Sequence, residues 1–217
     1  MPFSSKSSGL DLMDLAAEAI FKGRLPIPSE TLDISPTSYF MVKTPQFSWA
    51  QIRGSYPYLG PEMRSTGEVA SLGECFEEAL LKSWLSAQPN RLPKKSEYIL
   101  VYSLSDGKHK KLLENAAREL SSIGYRIVTI RGYGVRYGKI VGIKEAESMI
   151  REGRIGLILT HGFNPKIDYV IRRTAVDFNV PIVLNANLAC YLAKAIVWYE
   201  KKGILKVKEL SEYWLTK

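Results

Sequence analysis

EYILVYSL, residues 97–104, is the stretch on which the fold turns. Ile99, Leu100, Val101 and Tyr102 follow one another without a polar break. A strand with one wet face alternates apolar and polar residues, whereas an unbroken apolar run of this length suits a strand covered on both faces. The residues that follow repeat the theme. KKLLENAARELSSIG (110–124) has helical spacing and ends at Gly124, and YRIVTI (125–130) reads as a strand. IKEAESMIREG (143–153) is a helix, IGLILTH (155–161) a strand, and PKIDYVIRRTAVDFN (165–179) a helix with Pro165 in its first turn. VPIVLN (180–185) is a strand, ANLACYLAKAIVWYEKKG (186–203) a long helix, and VKELSEYWL (207–215) a short amphipathic end. Strands alternating with helices predict an α/β domain, a doubly wound parallel sheet.

Upstream the pattern is different. DLMDLAAEAIFKG (11–23) places Leu12, Leu15, Ala16, Ala19 and Ile20 at helical spacing before Gly23. Residues 24–67 are rich in proline, serine and aromatics, with short extended pieces such as SYFMVK (38–43). LGECFEEALLKSWLSA (72–87) fits a second helix, and QPNRLPKKS (88–96) reads as a linker. The fold class is therefore α/β, with the sheet domain preceded by a mixed helix and loop segment. The boundary falls between 1–93 and 94–217. Excised, the first part would expose Leu12, Leu15 and Ile20 and depend on docking to the second.

A chain of 217 residues, 46% hydrophobic and 24% charged, can bury a substantial core. It has no apolar run of membrane-spanning length, and its first residues lack a basic-then-apolar signal, so no membrane role and a cytoplasmic location are expected. The net charge of +8 resides entirely in residues 96–217. Such a surface attracts nucleic acid, phosphorylated metabolites or an acidic partner, or is simply lysine-rich and solvated. Nucleic acid is not expected, because no basic stripe is interleaved with aromatics. With only three glutamines, the composition has a thermophilic cast. Cys75 and Cys190 read as buried free thiols, and no metal-ligand spacing occurs.

In doubly wound sheets ligands bind beyond the carboxyl ends of the strands. Those ends are SLSDGK (103–108), RGYG (131–134), THGFN (160–164) and NAN (185–187). Lys108, Lys110, Arg131, Gly132, Lys139, Thr160, His161 and Asn187 lie at or near them and form a candidate effector or anion site. Neither GxGxxG nor GxxxxGK[ST] is present, so the common phosphate loops are excluded. His109 and His161 lack a nucleophile and an orienting acid at telling spacing. Glu62 and Glu68 could serve as acid and base, but six positions in a glycine-containing loop do not fix their separation. No catalytic set and no metal site emerges from the residues alone.

PFSSKSSGLDLMDLAAEAI, VKTPQFSWAQI and LGPEMRSTGEVASLGECFEEALLKS resemble, in order and spacing, the end of the second ATP-grasp half of the carbamoyl-phosphate synthetase large subunit. GPEMRSTGEV (60–69) is the most specific of these strings. The second part is similar to the same family's methylglyoxal-synthase-like regulatory domain, through the βα order, VIRRTA (170–175), the asparagine-containing loop after VPIV, and VKEL. The resemblance implies that 1–93 is an ATP-grasp tail without the upstream magnesium and nucleotide residues. The chain should bind no cofactor itself, ATP and Mg belonging to the complete enzyme, and should not make carbamoyl phosphate alone. Implied partners are the rest of the large subunit, its glutaminase small subunit and a small-molecule effector. An independent module binding a phosphorylated metabolite is the other reading.

Residue by residue, the resemblance assigns Glu68 to the wall of a carbamate tunnel, with Arg64 as a local partner. The plain alternative makes Glu68 a first-turn acid of the following helix. The family's phosphate-gripping threonines are replaced here by Ile130 and Tyr133, and an asparagine and threonine by Thr160 and Gly162. Its ornithine-binding glutamate falls near Thr44, with the glutamate's acidic and hydroxyl partners near Val183 and Leu184. Without a carboxylate to pair an ammonium, no bacterial-type ornithine site is expected, and at best a changed nucleotide site. The aspartate loop of methylglyoxal synthase has no counterpart.

Overall fold

The computed structural model describes residues 2–24 and 39–214. EYILVYSL becomes β3 (Tyr98–Ser103), the central strand of a five-stranded sheet. Around it lie β4 (Arg126–Ile130), β5 (Lys139–Val141), β6 (Ile155–His161) and β7 (Ile182–Val183), in the order β5-β4-β3-β6-β7. All neighbours are parallel. The strand needs apolar residues at every position because the two sets of side chains enter different cores. Ile99 and Val101, with Leu157 and Leu159, pack under α4 (Lys108–Ser122) and α7 (Ala186–Lys202). Leu100 and Tyr102, with Val128 and Ile158, pack under α5 (Ile143–Arg151) and α6 (Pro165–Asp177).

One irregularity sits where the chain enters the sheet. The β3–β6 register shifts between Tyr98 and Ile99, and Gly156 lies opposite that shift. A Cβ there would stand 2.9 Å from Pro93 Cβ, so only glycine lets residues 93–97 lie against β6. The 88–96 segment, expected as a linker, is pinned at this point. Arg91 grips Glu97 through two bonds of 2.8 Å, and the Lys94 N–H donates to the same carboxylate at 2.7 Å.

Residues before the linker form β1 (Phe40–Gln46) and β2 (Gly67–Gly73), an antiparallel pair with α3 (Phe76–Ser86) behind it. The helix expected over 72–87 thus begins later, because Leu72 and Gly73 belong to β2. Gly73 permits that junction: a Cβ would lie 2.5 Å from the Ala79 nitrogen. Leu80, Leu81 and Trp84 of α3 share one core with Ile99 and Val101 of β3. Farther out, α1 (Pro2–Ser8) and α2 (Leu12–Lys22) lie at the periphery, and α2 buries no residue. The Tyr39 hydroxyl donates to Ser7 O at 2.6 Å, and its ring meets Tyr213 of α8 (Leu210–Trp214) edge-on. The expected loop over 25–37 lies outside the described residues, as do the first residue of SYFMVK and Leu215. Both cysteines are free and half-buried rather than buried; Cys75 precedes α3 as its N-cap residue. Among the described residues no helix is long and apolar enough to cross a membrane, and no group of three metal-ligating side chains occurs.

Candidate functional site

Sheet order reverses between β3 and β6. The chain leaves β3 for α4 on one face, and β6 for α6 on the other, so a crevice opens between the two exits. His109 in the first turn of α4 and His161 at the end of β6 meet there, with ring centroids 4.1 Å apart. The Ala186 N–H, at the start of α7, points at His161 Nδ1 across 3.4 Å. Burial, then the neighbouring His109 and Arg172, pull the His161 pKa below its ordinary value. Asn187 follows in the first turn of α7, exposed, its N–H held by Asn185 Oδ1 at 2.9 Å.

The remaining candidates separate. Lys110 lines an open cleft of 580 Å3 with Gly107, Lys111, Glu114, Gly134, Val135 and Arg136. Lys108, Arg131 and Gly132 are exposed beside these loops. Thr160 is fully buried beside Tyr102 in the β3–β6 register, beneath the rim rather than on it. Lys139 begins the edge strand opposite Val128, back from the carboxyl ends, and its ammonium lies 3.2 Å from Glu145. The structure therefore brings together His161 and Asn187 at the crevice and sets Lys110 in an adjoining basic cleft. It does not bring Lys139 or the Thr160 hydroxyl to either. Ile130, in place of a threonine, is 2% exposed and belongs to the core.

Glu68 lies on β2, so it is not a first-turn acid of α3; those are Glu77 and Glu78. Its carboxylate meets Lys43 at 2.8 Å across the strand pair and is about half exposed. Arg64 is not its partner. The guanidinium turns to Glu62 and stacks 4.0 Å over the ring of Tyr58. Glu62 and Glu68 are thus each held by a different cation.

Three relatives match the chain almost from end to end. The large chain of carbamoyl phosphate synthase from Pyrococcus furiosus is 51% identical over 221 residues, covering 100% of this chain but 20% of the relative. Those from Hyperthermus butylicus and Saccharolobus solfataricus are each 44% identical, over 99% and 98% of this chain and again 20% of theirs. The chain is homologous to one part of the carbamoyl phosphate synthase large chain. It spans about a fifth of the length of the curated relatives it matches. No family model matches it.

Against that homology, Thr44, Val183 and Leu184 line one pocket, and no carboxylate is among its lining residues. The two arginines of VIRRTA hold α6 to the earlier part of the chain. Arg172 is 1% exposed; its guanidinium meets Asp168 at 2.5 Å and donates to Pro57 O at 3.1 Å and Gly162 O at 2.6 Å. Tyr56 and Tyr102 both donate to the Asp168 carboxylate. Burial raises the Tyr56 pKa, and its bond to Asp168 raises it further. Arg173 donates to Trp49 O, Ile52 O and Ser55 O at 3.1–3.2 Å while holding Asp177. The available signal was two i,i+4 acid–base pairs, Asp168–Arg172 and Asp177–Arg173, on a helix that should face a core. Together these side chains fasten the 49–57 segment to α6. Phe163, one residue past Gly162, packs at a tilt against Tyr58, ring centroids 4.9 Å apart, and Tyr58 carries Arg64. The crevice loop and the loop of GPEMRSTGEV are therefore joined through side chains.

Proposed function

We infer that this chain is the C-terminal regulatory and structural portion of a carbamoyl phosphate synthase large chain, and that it is not catalytic by itself. The observation that carries this reading is the whole-length match to relatives of that name, of which the chain spans only a fifth. In this reading residues 1–93 are the tail of an ATP-grasp unit and 94–217 a methylglyoxal-synthase-like effector domain. The chain holds no cofactor, with ATP and Mg acting elsewhere in the complete enzyme. Its partners are the rest of the large chain and a glutaminase small subunit. An independent metabolite-binding module is less favoured, since the match runs through both parts.

The His109–His161 crevice and the basic cleft of Lys110 and Arg136 are the place for a phosphate-bearing effector. Lys108, Arg131 and Asn187 supply further donors at the edge, and backbone N–H groups of the first turn of α4 face the same end of the sheet. Glu68, exposed and steadied by Lys43, is one wall of a passage completed by polypeptide outside this chain. Glutamine, ATP and bicarbonate given to this chain alone yield no carbamoyl phosphate, whereas the complete two-subunit enzyme forms it; formation by the chain alone refutes the reading. Melting the chain with UMP, IMP and inorganic phosphate locates the effector class, because a ligand of the folded state raises the midpoint. A raised midpoint that survives Lys110→Ala and Arg136→Ala together removes the cleft from the assignment.

A further inference from the structure

The turn of His161, Gly162 and Phe163 has two faces. His161 meets His109 in the crevice. Gly162 and Phe163 serve residues 56–64 instead. Gly162 O accepts from Arg172, whose guanidinium also donates to Pro57 O. The Phe163 ring touches both Tyr58 and Tyr56, with centroids 4.9 and 5.4 Å away, and those two rings stack on each other. Tyr58 in turn holds Arg64. Its hydroxyl accepts from the guanidinium at 2.5 Å, and its ring lies beneath the same group. Arg64 Nε then donates to Glu62 at 2.9 Å.

The turn has no slack. Gly162 has a φ of +95°, and a Cβ there would stand 2.9 Å from Leu104 Cβ. The Leu104 N–H donates to His161 O at 2.8 Å, so the SLSDGK loop bears on the same turn. That loop also supplies Gly107 to the basic cleft. The crevice and the cleft therefore share one wall at Gly162. A shift of that wall finds no void to absorb it, because packed interiors are hardly compressible. The outlet is Phe163, whose ring is exposed and free to tilt.

On the reading that a phosphate binds the crevice, we propose that the Phe163–Tyr58 contact couples its occupancy to the Glu62–Arg64 part of GPEMRSTGEV. The anion moves the turn, Phe163 moves with it, and Tyr58 resets the guanidinium of Arg64. A ligand shifts a conformation only through contacts that differ between two states. Here the differing contact is Phe163 against Tyr58.

The test titrates this chain with inorganic phosphate and follows two NMR signals, the His161 ring and the Arg64 Nε–H. Both shift, and both saturate at the same phosphate concentration. In Phe163→Ala the His161 response still saturates, while the Arg64 shift falls below half. Phe163→Tyr, which keeps the ring, restores it. A His161 response with no Arg64 response overturns the coupling and leaves the effector reading standing. An Arg64 shift that stays above half in Phe163→Ala comes from the field of the anion or from a second anion on Arg64, and overturns the coupling as well. Absence of any response at His161 removes the effector reading, and the coupling with it.

Discussion

The sheet around β3 closes its core largely with its own helices, whereas the hairpin of β1 and β2 borrows its burial. Ile99, Leu100, Leu157 and Ile158 reach zero exposure between helices that lie within a hundred residues of them. In the earlier part Ala79 and Leu81 of α3 reach it as well, and that helix inserts Leu80, Leu81 and Trp84 into the core of the sheet. Beyond α3 it is tethered by polar clamps, chiefly Arg172 and Arg173, and α2 leaves Ile20 and Phe21 at 77% and 87% exposure. Apolar burial carries the first region; burial at one helix plus a few buried charges carries the second.

The largest test of that contrast removes a clamp. Arg172→Met leaves Asp168 buried without its cation, and stability falls by about 3–5 kcal/mol, the cost of an uncompensated buried charge. Pairing it with Asp168→Leu restores much of the loss, because a buried ion pair is replaceable by apolar residues of similar volume. Urea unfolding measures both, and a loss no greater than that of an exposed pair would break the comparison. Next, Leu81→Ala costs about 2–5 kcal/mol through the cavity it opens. Ile20→Ala in α2 stays within about 0.5 kcal/mol, as exposed positions do. Equal losses at Leu81 and Ile20 in this chain would show that α2 is buried in solution by something other than this polypeptide.

The same contrast explains what could be read ahead. Strands β3, β4 and β6, and helices α4 to α7, were legible because two-faced burial writes itself into consecutive residues. β5 was not: it is three residues long, follows the glycines of RGYGVRYG, and exists as a strand only because Ile130 and its neighbours offer an edge. The start of α3 was misplaced because Leu72 pairs with Met41, thirty-one positions away, and helical spacing carries no trace of that partner. Of the candidate site, the βα loops were found by topology. What escaped was the bond between Tyr56 and Asp168, which joins residues 112 positions apart. Lys139 was expected at or near the rim, but the turn between β4 and β5 carries it back along the sheet to a place opposite Val128.

A smaller effect isolates the second clamp. Arg173→Ala removes donors to three carbonyls of the 49–55 segment, for about 1.5–3 kcal/mol given bonds from a charged group. Hydrogen exchange resolves it: amides of 49–56 lose protection while those of β3 and β6 keep theirs. The smallest effect lies at the crevice and reads the pH dependence of the sheet itself. His161 is held below its ordinary value near 6.5 by burial, by His109 and by Arg172. The unfolded chain therefore takes up a proton before the folded chain does. Stability from this residue is complete above pH 6.5 and is lost as pH falls from there through the depressed value. In His161→Gln this part of the decline disappears while the alkaline side is unchanged. A ligand that places a phosphate beside the two imidazoles reverses the sign, since an anion favours the charged ring. The pH slope of the melting midpoint, measured with and without inorganic phosphate, then reports whether the crevice is occupied.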